Sequence, residues 1–183
     1  QNEVELDPDW GFRGFYAVVR ASQKNSTPYQ RLMRESAFSE PSNRRLARHS
    51  RETVSRFAKI LKSCKLGVSL RPQDRKNFNM AKRSLTPLSP DIPSPTVTTL
   101  PDDFIHYSKP RTLSVRELAR LQSFPDWFDF SGPYTTGGIR RRDACPKFTQ
   151  VGNAVSPLFA EAIGETLISL LRIQEVSEFS DRG

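Results

Sequence analysis

The 183-residue sequence predicts a mixed α/β chain in which a basic, loop-rich first half leads into a helical C-terminal part. Three observations carry that expectation. Apolar residues recur at helical spacing in three well-separated segments, not in one continuous bundle pattern. Runs of aromatic and β-branched residues are few and short. The hydrophobic fraction is 36%, with 14 prolines against 9 glycines, so the first half is core-poor and is expected to borrow burial from a neighbour. There is no internal repeat.

The elements follow in order. After an acidic opening (Glu3, Glu5, Asp7, Asp9), residues 12–19 read as a strand through Phe15, Tyr16, Val18 and Val19. Residues 22–43 hold Pro28 and Pro41 and read as loop with a short helical turn. The first helix spans 50–66, with Val54, Phe57, Ala58, Leu61 and Cys64 on one face, Ser50 as N-cap and Gly67 as the left-handed terminator. Residues 71–94 are basic and broken by Pro87, Pro90 and Pro93, and 95–99 read as a short strand. The second helix begins at Ser114, where Ser114 and Glu117 form a capping box and Leu113 with Leu118 a hydrophobic staple. It continues through Val115, Ala119 and Gln122, and Pro125 stops it. The third starts at Pro157 behind Ser156, with Phe159, Ile163, Leu167, Leu170 and Leu171 along its apolar stripe.

The net charge of +8 is uneven. Through Asp91 there are 18 Lys and Arg against 9 Asp and Glu; from Ile92 the count is 10 against 11. A basic half joined to a neutral half fits a polyanion partner, and it equally fits a solvated basic lead segment. Arg44, Arg45, Arg48, Arg51 and Arg56 crowd the start of the first helix, where cations oppose the helix dipole; a bound phosphate would relieve that conflict. Cys64 and Cys145 fit no disulfide framework and no zinc spacing, so reduced thiols and no metal are expected. No stretch approaches the ~20 apolar residues of a membrane span, and the start at Gln1 favours an excised piece of something longer.

Two segments are recognisable. Residues 111–126 (RTLSVRELARLQSFPD) resemble the ninth conserved motif of bacterial DNA (cytosine-5)-methyltransferases, and 150–157 (QVGNAVSP) resemble the tenth. Between them Thr135 to Gly138 and Arg140, Arg141 and Arg142 match residues of one branch of the family, and 93–99 (PSPTVTT) resembles the end of its target-recognition region. The resemblance implies three parts: a variable basic target-recognition region over 1–94, the ninth and tenth motifs over 95–173, and a tail over 174–183. It implies a small recognition domain followed by a C-terminal helix that docks on a Rossmann-like methyltransferase domain absent from this chain.

It further implies S-adenosyl-L-methionine as a shared cofactor, with Asn153, Ala154 and Val155 as contacts in a tight turn before the last helix. Arg44, Arg45, Arg48, Thr98, Arg140, Arg141 and Arg142 are the implied DNA contacts. Arg116 and Arg120, four apart on the second helix, either bind phosphate or pair with carboxylates such as Glu117 or Asp126. The partners expected are double-stranded DNA and the catalytic N-terminal half of such an enzyme, in cis or in trans, in a bacterial cytoplasm or on the nucleoid.

What the resemblance requires for chemistry is missing. Cytosine-5 methylation needs a thiolate to attack a flipped base, and the family supplies it from a Pro-Cys loop with a Glu-Asn-Val segment nearby. Neither motif occurs. Cys64 falls on an apolar helix face, and Cys145 precedes Pro146, the reverse order. Residues 11–15 (GFRGF) lack the second spaced glycine of the family's cofactor loop, and 73–77 (QDRKN) half match its eighth motif. No catalytic residue is therefore assigned. The chain reads as part of a restriction-modification type methyltransferase inactive alone, whether split subunit, fragment or remnant, or as a non-catalytic DNA-binding or regulatory module.

Overall fold

The computed structural model describes the backbone of residues 4–6, 15–19, 27–35, 41–82, 84–134 and 144–180, and side chains from Thr27 to Arg172 within those ranges. The expected strand forms as β2 (Phe15–Val19), paired antiparallel with β1 (Val4–Leu6) and β3 (Arg45–Ala47) in the order β1-β2-β3. The pairing of β2 with β3 is irregular between Phe15 and Ala17. A helical turn precedes β3: α1 (Pro28–Arg34) carries a capping box between Thr27 and Gln30. Its Met33 is buried, and Met33 O accepts the Asp126 N–H at 2.6 Å.

The helix expected over 50–66 is α2 (Arg51–Ser63). Ser50 caps it as anticipated, accepting the Thr53 N–H at 3.2 Å, but it ends three residues early at Cys64. Phe57 and Ile60 form its buried face, with Leu61 and Cys64 partly buried beside them and Val54 exposed. Gly67 is left-handed, φ +76°, in the turn beyond the helix, and its N–H donates to Pro87 O.

Two short elements correct the reading of 71–99. The basic segment is not wholly irregular: α3 (Pro72–Asn77) begins on a proline at its first turn, a favoured place for it. Residues 95–99 do not form a strand. Between Pro95 and Pro101 they form no ladder, Val97 enters the core, and Thr98 Oγ1 donates to Asp103 Oδ2 at 2.5 Å. The ladder lies on either side instead, where β4 (Thr86–Pro87) and β5 (Phe104–Ile105) pair in parallel.

That two-residue pair divides the cores. Successive strand residues face opposite sides, so Ile105 packs with Phe57, Ile60 and Leu85, while Phe104 packs with Leu118, Phe124 and Val151. The larger core is organised by α4 (Val115–Leu121), whose capping box and staple form as expected: the Glu117 N–H donates to Ser114 Oγ, and Leu113 and Leu118 are both buried. The helix ends at Leu121, before Pro125, and Ser123 just beyond its cap takes φ +60°.

Beyond it, α5 (Lys147–Asn153) was not anticipated, and α6 (Pro157–Ser180) begins where expected. Against the composition reading, residues 147–172 are long and apolar enough to cross a membrane by length and composition alone. They are not one uninterrupted element, since the path breaks between α5 and α6 and Phe148 and Val151 of α5 lie in the larger core.

Candidate functional site

A network of buried and half-buried charges sits on α4. Arg116 is 1% exposed, and its guanidinium donates to Ser42 O at 3.1 Å, Pro125 O at 2.9 Å, Phe128 O at 2.5 Å and Ser42 Oγ at 3.3 Å. The expected alternatives of phosphate or carboxylate therefore both fail for Arg116: it is spent on backbone carbonyls and ties residue 42 to the 125–128 turn. Glu117 is engaged by Arg111 instead, through two bonds of 2.8 Å. Burial alone would raise the Glu117 pKa, but the Arg111 hydrogen bonds and charge, with the Ser114 N–H, hold it below the usual carboxylate range. Arg120 does pair structurally, bidentate with Asp126 at 2.8 and 2.6 Å.

Arg44, Arg45 and Arg48 lie along and beside β3, directly after Asn43, which is buried in a left-handed conformation, φ 65°. Asn43 O accepts the Arg116 N–H at 2.9 Å, so the arginine-bearing strand is anchored on the first turn of α4. Arg45 lies over the Tyr134 ring at 5.7 Å and Lys147 over the same ring at 5.0 Å. Lys147 also donates to Asn43 Oδ1 at 2.5 Å, and burial, then the cations Arg45 and Arg116, lower its pKa, against the pull of Asp129.

Tyr134 immediately precedes the segment holding Arg140, Arg141 and Arg142, which lie outside the described residues. The structure thus brings Arg45 to the root of that segment and adds Lys147, which sequence reasoning missed; its only signal was a cation three residues before the tenth motif. Thr98 is half-buried with its hydroxyl proton given to Asp103.

The tenth motif differs from expectation. Gly152 and Asn153 are not in a tight turn but in the last turn of α5, and Ala154 caps it. The glycine serves close approach: a Cβ there would meet Thr98 O at 2.4 Å and Thr99 N at 2.6 Å. Asn153 is exposed, Ala154 packs partly against the larger core, and Val155 is 64% exposed. At the start of α6 the free N–H groups are not all available, because the Leu158 N–H donates to Ser123 Oγ at 3.1 Å, which in turn pairs with Ser156 Oγ at 2.6 Å. Among the described residues these groups form an open edge, not an enclosed pocket, and no cluster suits a metal ion.

From there α6 projects with its stripe uncovered. Phe159, Ile163, Leu167, Leu170 and Leu171 are 45–61% exposed, far above what a packed stripe shows. An open apolar groove of about 430 Å³ continues from its first turn, between Leu158, Leu32 of α1 and the 61% exposed Trp127. Cys64 is half-buried and Cys145 is exposed in the loop before α5.

Comparison with known proteins agrees with this anatomy. The chain is 39% identical over 122 residues to Type II methyltransferase M.AquIB of Picosynechococcus, an alignment covering 65% of this chain and 81% of that protein. It is 32% identical over 133 residues to Type II methyltransferase M.DdeI of Desulfomicrobium norvegicum, covering 66% and 31%, and 39% identical over 102 residues to M1.HphI of Haemophilus parahaemolyticus, covering 50% and 25%. The chain therefore spans most of the first relative but a third or less of the other two. In fold it resembles a prophage-encoded Escherichia coli protein described as a candidate DNA modification methyltransferase, with a TM-score of 0.54 at 24% identity, over 94% of this chain and 44% of that one. Residues 16–169 match the family of C-5 cytosine-specific DNA methylases, and the chain belongs to that family.

Proposed function

We propose that this chain is the DNA-recognition and docking part of a cytosine-5 methyltransferase and does not itself perform methyl transfer. The observation that carries the proposal is the bare apolar stripe of α6, directly after the tenth motif, in a sequence with neither a Pro-Cys nor a Glu-Asn-Val segment. A stripe of five large apolar residues in water is stabilised by a partner surface, and the catalytic half that carries those segments is the partner proposed. M.AquIB, shorter than this chain by the alignment shares, is matched over most of its own length.

In this reading Arg44, Arg45 and Arg48, held by the β3–α4 anchor, contact backbone phosphates together with Arg140, Arg141 and Arg142, and Thr98 is a weaker phosphate contact. The variable basic region reads base edges. S-adenosyl-L-methionine would supply the methyl group in the assembled enzyme; Asn153, Ala154 and Val155 would contribute a rim to its pocket and no more, because here they form only an open edge.

A second reading, a non-catalytic DNA-binding or regulatory module that keeps the tail for docking, is favoured by that same open edge. The two agree that the chain alone is inactive and differ on the rim. The test is transfer of a labelled methyl group to cytosine-containing duplex, with this chain alone and mixed with a polypeptide carrying the missing motifs. Transfer only in the mixture, lost in Asn153→Ala, supports cofactor completion. Stable docking and DNA binding without transfer supports the module. Transfer by the chain alone overturns both.

A further inference from the structure

Residues 105–112 form a narrow hairpin between β5 and the start of α4. Ile105 bridges Thr112 in antiparallel fashion, and the His106 N–H donates to Arg111 O at 2.9 Å. The tip is stitched from within. The Ser108 and Lys109 N–H groups both donate to His106 Nδ1, at 3.1 and 3.2 Å, and the Arg111 N–H donates to Lys109 O at 2.8 Å. Burial, then the Arg111 charge, pushes the His106 pKa down to about 4, so the ring is neutral at pH 7 and Nδ1 can accept both bonds. The base is equally fixed. Arg111 is buried on Glu117, and the Thr112 N–H and Oγ1 lie 3.3 and 3.1 Å from His49 Nε2. The hairpin is thereby set beside the residue that directly follows Arg48.

This frame presents Tyr107, Ser108 and Lys109 at its tip. Tyr107 is 45% exposed, although its ring stacks on His106 at 4.3 Å and 25°. An aromatic side chain held in this way loses little freedom when it meets a partner. Lys109 makes no ion pair among the described residues, and residues 104–113 contain no carboxylate. The acidic neighbours are already engaged: Asp102 and Asp103 pair with Lys82, and Glu117 with Arg111. A rigid tip that offers a phenolic hydroxyl and an ammonium, with no acid beside them, suits phosphate oxygens.

We propose that the 105–112 hairpin is a further contact on the DNA duplex, at which the Tyr107 hydroxyl and the Lys109 ammonium donate to backbone phosphates. The proposal rests on the duplex-recognition reading above and adds residues beyond the β3 arginines and Arg140 to Arg142. The test is equilibrium binding of the full chain, without a catalytic half, to a 30-base-pair duplex over a series of salt concentrations. It compares Tyr107→Phe, which keeps the ring on His106, with Lys109→Ala and with the control Arg172→Ala in α6.

One lost ionic contact reduces the slope of log affinity against log salt by about 0.9, which at 0.1 M salt has a ceiling of about eightfold. Lys109→Ala should show that reduced slope. Tyr107→Phe removes a neutral donor, so a loss of about fivefold with the wild-type slope is expected. Circular dichroism spectra of both variants should match the wild type. Wild-type affinity in Tyr107→Phe, or the wild-type slope in Lys109→Ala, overturns the hairpin contact. An equal loss in Arg172→Ala overturns it as well, because the effect would then be one of overall charge. Unchanged duplex binding with weakened association of a catalytic half would assign the hairpin to docking instead. No salt-dependent duplex binding by the wild type overturns the recognition reading itself.

Discussion

Replacing Gly152 by alanine tests how the tenth motif is built. The residue lies in the last turn of α5 with no positive φ, so by helix propensity alone alanine should stabilise the chain by about 1 kcal/mol. The packing opposes this. The new Cβ would stand 2.4 Å from Thr98 O, 2.5 Å from Thr98 C and 2.6 Å from Thr99 N, all backbone atoms that no rotamer change can move aside. Relief requires α5 and the 98–99 segment to separate by more than half an ångström, and Thr98 is tied to Asp103 while Val151 and Val97 sit in one core. Overpacking of this kind costs about 1–3 kcal/mol, and a backbone clash belongs at the upper end. The net expectation is destabilisation by about 2 kcal/mol, or a fall in Tm of about 4–8 °C for a domain of this size. Thermal unfolding by circular dichroism reads it directly. An unchanged or raised Tm would refute the close-approach argument, and if methyl transfer by the assembled enzyme still fell, the glycine would belong to the cofactor rim instead.

Two further expectations follow from buried groups. Arg116→Met strands three carbonyls that the guanidinium now satisfies, at about 1–3 kcal/mol each before relaxation, so urea unfolding should show a loss of about 3–5 kcal/mol; less than 1 would mean water replaces the side chain. His106 is buried and accepts the Ser108 and Lys109 N–H groups at Nδ1; burial, then the Arg111 charge, pushes its pKa down to about 4, with Lys109 adding to the shift and Glu117 opposing it. Since the unfolded chain takes up this proton near pH 6.5 and the folded chain only near 4, stability is full above pH 6.5 and declines as pH falls from there towards 4. The ceiling is about 3 kcal/mol, reduced by water reaching the ring beside exposed Tyr107; His106→Gln should flatten the pH dependence of the urea midpoint between 6.5 and 5, and an unchanged slope would remove His106 from the account. His49, lowered by burial and by Arg111, acts in the same sense.

Local rules made much of the chain legible. Caps and staples act over three or four residues, so Ser50, Ser114 with Glu117, and Pro157 announced their helices, and strand propensity marked Phe15 to Val19. The family was readable for a related reason, since its two motifs are contiguous strings. Where short elements depend on distant partners, the sequence was silent or misleading. α3 and α5 have six and seven residues, too few for a periodic signal, and residues 95–99 have strand composition but meet α5 where a ladder was expected.

By itself, then, the sequence determined the family, the absence of a Pro-Cys and a Glu-Asn-Val segment from these residues, the uneven charge and the helices that cap themselves. Only tertiary structure decided what the charges are for. Arg116 and Arg120 are alike on one helix, yet one is buried on carbonyls and the other paired with Asp126, because the 42–43 and 125–128 turns converge on the first alone. Tertiary structure likewise separated two apolar helices that read alike: α4 is covered by Phe124 and Val151, and α6 is left bare. Hydrophobic periodicity records that a face requires burial; which surface buries it depends on contacts far apart in the chain, or on another chain.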